Sequence, residues 1–152
     1  MSRAEKAKEY FTLGYACSQA IALTFADVCG LDESTALKMS LPFGGGLGRL
    51  RLTCGAVSGM ALVYGLIFSS DKLDSENKKQ TYEDIRFLTG KFTEKNGSII
   101  CSELLTGKNL VPVVGGEAEA RTAEYYKKRP CGDIVYSAAE ILEEFLKERG
   151  VL

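Results

Sequence analysis

Residues 52–70 read LTCGAVSGMALVYGLIFSS, a stretch without a single charge. Its length is close to the roughly 20 apolar residues that a bilayer-spanning helix needs. Its composition argues against a span. Thr53, Gly55, Ser58, Gly59, Gly65, Ser69 and Ser70 interrupt it, and the apolar part, Met60–Phe68, is short. A short helix that is apolar on every side belongs at the centre of a helical core, so no membrane span is expected. Gly55 and Gly59 lie four apart on one face, beside the small Ala56 and Ser58. Such a face lets another backbone come close. Each glycine costs a helix roughly 1 kcal/mol relative to alanine, so three in one helix imply a return in packing or function.

Outward from this helix the pattern is helical almost throughout. Apolar residues recur three to four apart over 3–13 (Ala4, Ala7, Phe11) and over 15–29 (Ala16, Ala20, Leu23, then Ile21, Phe25, Val28). They recur again over 75–95, where Tyr82, Ile85, Leu88 and Phe92 are expected to face inward. Gly14, Gly30 and Asn96-Gly97 supply stops. Ser34, Thr53 and Ser98 are the expected N-caps of a short helix over 35–40, of the uncharged helix, and of a short helix holding Ile99, Ile100, Leu104 and Leu105. Residues 106–116 form a loop, extended at Val111–Val114, and 117–128 a charged helix. Pro130 starts the last helix, with Ile134, Ala138, Ile141, Leu142 and Phe145 on its apolar side. No strand alternation persists and nothing repeats. The expected fold is all-α, a single compact domain of about five to seven helices over residues 1–152, with its core in about 10–145.

Composition narrows the chemistry. The chain has five cysteines, no histidine and no tryptophan. Serine–histidine and cysteine–histidine catalysis, and histidine-ligated metal or haem, are thereby excluded. With 19 basic and 20 acidic side chains the net charge is −1, so nothing favours nucleic acid. Residues 1–13, MSRAEKAKEYFTL, mix charges every few positions and lack the apolar run of a secretory signal. A cytoplasmic protein is expected, and there thiols are kept reduced.

The cysteines are placed unevenly. Cys17 follows the Gly14 break, Cys54 follows Thr53, Cys101 stands three residues after Ser98, and Cys131 follows Pro130. All four therefore fall in the first turn of an expected helix, where free amides and the positive dipole end favour a thiolate. Arg49 and Arg51 precede Cys54, and Lys127, Lys128 and Arg129 precede Cys131. Cys29 ends a helix, where the dipole opposes a thiolate, and is expected to be a small buried apolar residue. Free cysteine is among the most buried residue types, so core filler is the plain alternative for all five. No CxxC pair exists. Structural zinc sites, thioredoxin-like centres and ferredoxin runs use close pairs, so any site here is assembled by the fold.

The loop Phe43-Gly44-Gly45-Gly46-Leu47-Gly48 fits neither the dinucleotide fingerprint nor the P-loop. Either it is a long turn between helices, or it brings backbone close to something beside Cys54. In the second case Gly44, Gly45, Gly46 and Gly55 are the candidate cofactor-contact positions, covering a sulfur site or offering backbone donors.

Cys54-Gly55-Ala56-Val57-Ser58-Gly59 fits the CGAxxG motif of a redox-active protein family often written C_GCAxxG_C_C. Cys17 in Tyr15-Ala16-Cys17-Ser18-Gln19-Ala20 matches that family's first cysteine, Cys101 its third and Cys131 its fourth. The chain resembles this family over roughly residues 10–145, and Cys29 lies outside the pattern. The resemblance implies redox chemistry on four cysteines. A related domain looks present in split-Soret-type cytochromes, where cysteine-ligated iron is a suggested cofactor.

Three functions follow as expectations. The first is thiol–disulfide or electron-transfer chemistry with an unknown redox partner, on bare thiols, with Cys54 as lead thiolate and Cys17, Cys101 or Cys131 resolving it. The second is a metal ion or iron–sulfur cluster held by Cys17, Cys54, Cys101 and Cys131. The third is a non-catalytic helical interaction module with buried cysteines. An apolar stripe on the Tyr82–Phe92 helix could serve a homodimer, although core packing explains it as well.

Overall fold

The computed structural model describes all residues, 1–152. The chain is helical and contains no strand. In order it forms α1 (Arg3–Thr12), α2 (Cys17–Thr24), α3 (Ala26–Cys29), α4 (Glu33–Ser40), a 3-10 turn (Leu41–Phe43), α5 (Gly55–Phe68), α6 (Ser75–Asn96), α7 (Cys101–Thr106), α8 (Ala123–Lys128) and α9 (Cys131–Glu148). Nine α-helices exceed the expected five to seven. Part of the excess comes from residues 15–29, which break at Phe25. That residue has φ −110° and ψ 10°, so it closes α2 and opens α3. Its ring is wholly buried, and tertiary burial here overrides the continuous helical pattern. The short helices α7 and α8 fall where helices were expected, but α8 occupies only Ala123–Lys128 of the expected 117–128.

The uncharged helix α5 sits in the middle, as its composition demands. Against it lies α2. A Cβ on Gly59 would come within 2.8 Å of the Ile21 Cβ, and one on Gly55 within 3.1 Å of the Ser18 backbone nitrogen. The small face of α5 is thus the seat of α2. No helix is long and apolar enough to cross a membrane. The last helix, α9, buries Ile134, Val135, Ala138, Ala139, Ile141, Leu142, Phe145 and Leu146 along one stripe. Opposite this stripe α1 buries Ala4, Ala7 and Phe11, so the two ends of the chain meet in one core.

Several boundaries differ from expectation. Asp32, not Ser34, caps α4, its carboxylate accepting from the Thr35 N–H at 3.0 Å. Cys54 and Ile100, not Thr53 and Ser98, are the N-caps of α5 and α7. On α6, Leu88 and Phe92 are buried but Tyr82 is 54% exposed. Residues 111–114 pass as loop, without the partner an extended segment needs.

At the other side of the core from the cysteine-bearing helix starts, Asp84 is buried with all its acceptor sites engaged. It accepts from Tyr64 Oη at 2.6 Å, Gln80 Nε2 at 3.0 Å, and Arg149 Nη2 at 2.7 Å and Nη1 at 3.1 Å. Burial raises its pKa, but these hydrogen bonds outweigh it and hold the carboxyl below its ordinary 3.8. The cluster pins α5, α6 and the C-terminus together.

Candidate thiol site

Each of the four cysteines stands where a helix begins, for a local reason. Ahead of α2, the Gln19 side chain folds back to accept the Ala16 N–H at 3.0 Å, which makes Cys17 the first helical residue. Pro130 has φ −78° and stands at the N-cap of α9, so Cys131 opens that helix. Cys54 and Cys101 are placed together by backbone pairing that no sequence pattern announces. Thr53 and Ile100 form an isolated antiparallel bridge. The Cys54 N–H donates to the Ile99 carbonyl at 2.7 Å, and the Cys101 N–H to the Leu52 carbonyl at 2.6 Å. That pairing binds the start of α5 to the start of α7.

The four helix starts converge. Cys17, Cys54, Cys101 and Cys131 line one cavity of about 360 Å³. Cys29 does not reach it. It ends α3 as expected, followed by Gly30 at φ 68°, and burial and the nearby Asp27 push its thiol up to about 11.

The glycine loop forms another wall. Gly44, Gly45, Gly46 and Gly55 all border the cavity. At two of them a side chain is barred outright. Gly45 has φ 65° and an added Cβ would meet Arg49 Cγ at 2.8 Å; Gly46 has φ 72° and its Cβ would meet Leu52 N at 2.6 Å and Cys101 Cβ at 2.7 Å. The loop is therefore a close backbone approach to the sulfur site.

Burial sorts the thiols differently from helix position. Cys54 was expected to be the lead thiolate. The backbone amides of Ala56 and Val57 at the helix start favour its thiolate, but burial dominates and pushes it up to about 12. Helix-end stabilisation is worth about 0.3–1 kcal/mol, less than one pKa unit, whereas full desolvation moves a group by several. Burial also raises Cys101, against the Arg51 guanidinium 3.7 Å from its sulfur. Cys131 goes the other way. The neighbouring Cys17 thiol favours its ionised form most, and Arg129, Arg121 and Arg51 add positive potential; together they outweigh burial and lower its pKa. Cys17 is raised correspondingly, by the adjacent Cys131 sulfur and by its own burial. Of the four cavity thiols, Cys131 is thus the one made more acidic.

Sequence spacing points to Arg49, Arg51 and Arg129 but not to Arg121. Arg121 comes from the loop before α8, donates to the Phe11 and Tyr15 carbonyls at 3.1 and 3.2 Å, and lies over the Phe11 ring at 4.4 Å. Arg129 is paired with Glu119 and stacks on Tyr125 at 5.1 Å. Arg51 donates to the Val113 carbonyl at 3.0 Å.

Among protein families, the one described as "Putative redox-active protein (C_GCAxxG_C_C)" matches residues 15–145. The chain belongs to this family. The match runs from just before Cys17 to beyond Cys131, so the C_GCAxxG_C_C region contains every cysteine that lines the cavity. Among curated proteins and solved structures nothing matches.

Four thiols are a fitting donor set for zinc or an iron–sulfur cluster. In this arrangement no three of the cysteine and acidic side chains stand close enough to hold a metal ion. All five cysteines are free thiols.

Proposed function

We propose that this C_GCAxxG_C_C protein is a thiol–disulfide redox protein in which Cys131 is the attacking thiolate and Cys17 the resolving thiol. One observation carries this assignment: two helix starts bring Cys17 and Cys131 to one cavity beside Arg51, Arg121 and Arg129, and of the four thiols there only Cys131 is lowered. The Cys131 thiolate attacks one sulfur of a disulfide oxidant. The old S–S bond breaks and the first thiolate leaves. Cys17 then gives up its proton and attacks the Cys131 sulfur, forming the Cys17–Cys131 disulfide and releasing the second thiolate. Two electrons pass from the protein dithiol to the oxidant, and the reverse sequence reduces the protein. Cys54 and Cys101 remain thiols throughout. Such a dithiol suits the cytoplasm, where a reducing pool can regenerate it.

Alkylation of the folded protein across a pH series, with mass-spectrometric assignment, tests this. Cys131 is expected to react first and at the lowest pH. Mild oxidation should then remove two thiols and yield one peptide pair joining Cys17 to Cys131. First labelling at Cys54 overturns the assignment. So does a coloured, metal-loaded protein whose four cavity thiols stay unreactive.

A further inference from the structure

Four arginines, Arg49, Arg51, Arg121 and Arg129, border the thiol cavity, and Glu119 is the single carboxylate on its wall. Three of the four are engaged by protein groups. Arg51 is held by the Val113 carbonyl and Cys101, Arg121 by two carbonyls and an aromatic face, and Arg129 by Glu119. Arg49 is different. Its Nε and Nη1 are buried, and neither has a hydrogen-bond partner. Burying unpaired cationic donors is costly, and proteins rarely tolerate it without a use.

The loop holds Arg49 in place. Its N–H donates to the Gly44 carbonyl at 3.2 Å, and its carbonyl accepts from Gly115 at 2.9 Å. The side chain lies directly over Gly45, against the space a Cβ would fill. Arg49 itself has φ 64°, an uncommon conformation for a non-glycine residue. So the glycine loop fixes a cation with two unpartnered donors in the wall of the cavity that holds the thiols. At about 360 Å³ the cavity exceeds the needs of an inorganic ion and falls in the range of small-molecule sites. Phe11, Leu41, Pro42, Leu104 and Ile134 supply apolar wall for a carbon skeleton.

We infer that the thiol cavity takes a small organic anion, a carboxylate-bearing disulfide, with its negative group on Arg49 and its S–S bond presented to Cys131. This rests on the thiol–disulfide function proposed above and names its substrate class. The exchange balances as written there: one substrate disulfide and the Cys17–Cys131 dithiol give one protein disulfide and two substrate thiols.

The test compares disulfides of similar size and different charge on the full chain: dithiodiglycolate (anionic), hydroxyethyl disulfide (neutral) and cystamine (cationic). Formation of the Cys17–Cys131 disulfide is expected to be roughly tenfold faster or more with the anion than with the neutral compound, as one charge-assisted hydrogen bond allows. Cystamine should be slowest. Arg49→Gln should collapse the anion-to-neutral rate ratio to near one. Because it removes two buried nitrogens that have no partner, it should leave the thermal midpoint unchanged or raised, which separates lost recognition from misfolding. Adipate, a dicarboxylate of matching length without sulfur, should bind by calorimetry and slow dithiodiglycolate, and Arg49→Gln should abolish both effects. Equal rates for all three disulfides, or no adipate binding, overturns the anion site. If no disulfide forms with any of them while adipate still binds through Arg49, the anion site stands and the thiol-exchange function falls.

Discussion

Two buried polar clusters lie on either side of the same core, and they are built on opposite terms. Around Asp84 every donor and acceptor is matched: Tyr64, Gln80 and Arg149 together fill the carboxylate's acceptor sites. Around the cysteines little is closed off. Four thiols are free there, Arg49 keeps two unpartnered buried nitrogens, and a cavity remains between the helix starts. A saturated network gives specificity and rigidity but leaves nothing for a ligand. An unsaturated one spends stability on groups that can still react or bind. The first cluster is built as structure and the second is the one proposed for chemistry, and each can be challenged separately.

The largest expected effect is Cys131→Ser. It should abolish oxidation to the Cys17 disulfide, read as thiols lost on mild oxidation. Its stability cost should be within about 1 kcal/mol, because the residue opens a helix and serine keeps nearly the same volume. A large fall in the denaturation midpoint would make Cys131 a structural residue and erase the contrast. Next comes Gly46→Ala. Left-handed strain of about 1–2 kcal/mol adds to forced contacts with Leu52 and Cys101, and overpacking costs about 1–3 kcal/mol. Denaturant titration should show a loss of roughly 2–5 kcal/mol in all, together with a changed Cys101 labelling rate.

Asp84→Ala follows, at about 2–3 kcal/mol, less than the 3–5 of a fully buried broken pair because Arg149 is 38% exposed and can rehydrate. Thiol labelling should not change. The pH dependence has a definite sign. Asp84 has a folded pKa below its ordinary 3.8, so its contribution is complete above that value and is lost as pH falls through the folded pKa. Acid unfolding of Asp84→Asn should lack that component, and an unaltered acid profile would remove the carboxylate from the stability argument. The smallest effect is Gly90→Ala on exposed α6, where an added Cβ meets nothing within 4 Å. It should stabilise by about 0.5–1 kcal/mol with no change at the thiols, which makes it a control for the two glycine classes.

Much of this organisation is legible in the sequence. The uncharged run announces a central helix, and breaks, caps and Pro130 place four cysteines in first turns. What cannot be read is depth. Position at the start of α5 predicts an acidic Cys54, but full burial there outweighs the helix end, whereas Cys131 gains Arg121 and Arg51 besides its sequence neighbour Arg129. Arg121 reaches the site from a loop with no periodic signal. The Phe25 break likewise depends on what packs around the ring, and the Thr53–Ile100 bridge is a pairing of two residues with no pattern around either. Local rules gave the helix starts, and the long-range packing decided which of them mattered.

The closing of the core by α1 against α9 also sets a timetable. Cys17 is synthesised well before Cys131, which opens α9. Domains form their long-range contacts only once the participating segments exist. A growing chain thus carries Cys17, Cys54 and Cys101 on separate segments, each missing the partner or the arginines that would activate it. Under the proposed function the Cys17–Cys131 pair comes into being when α9 docks, and thiol chemistry would be switched on by folding itself.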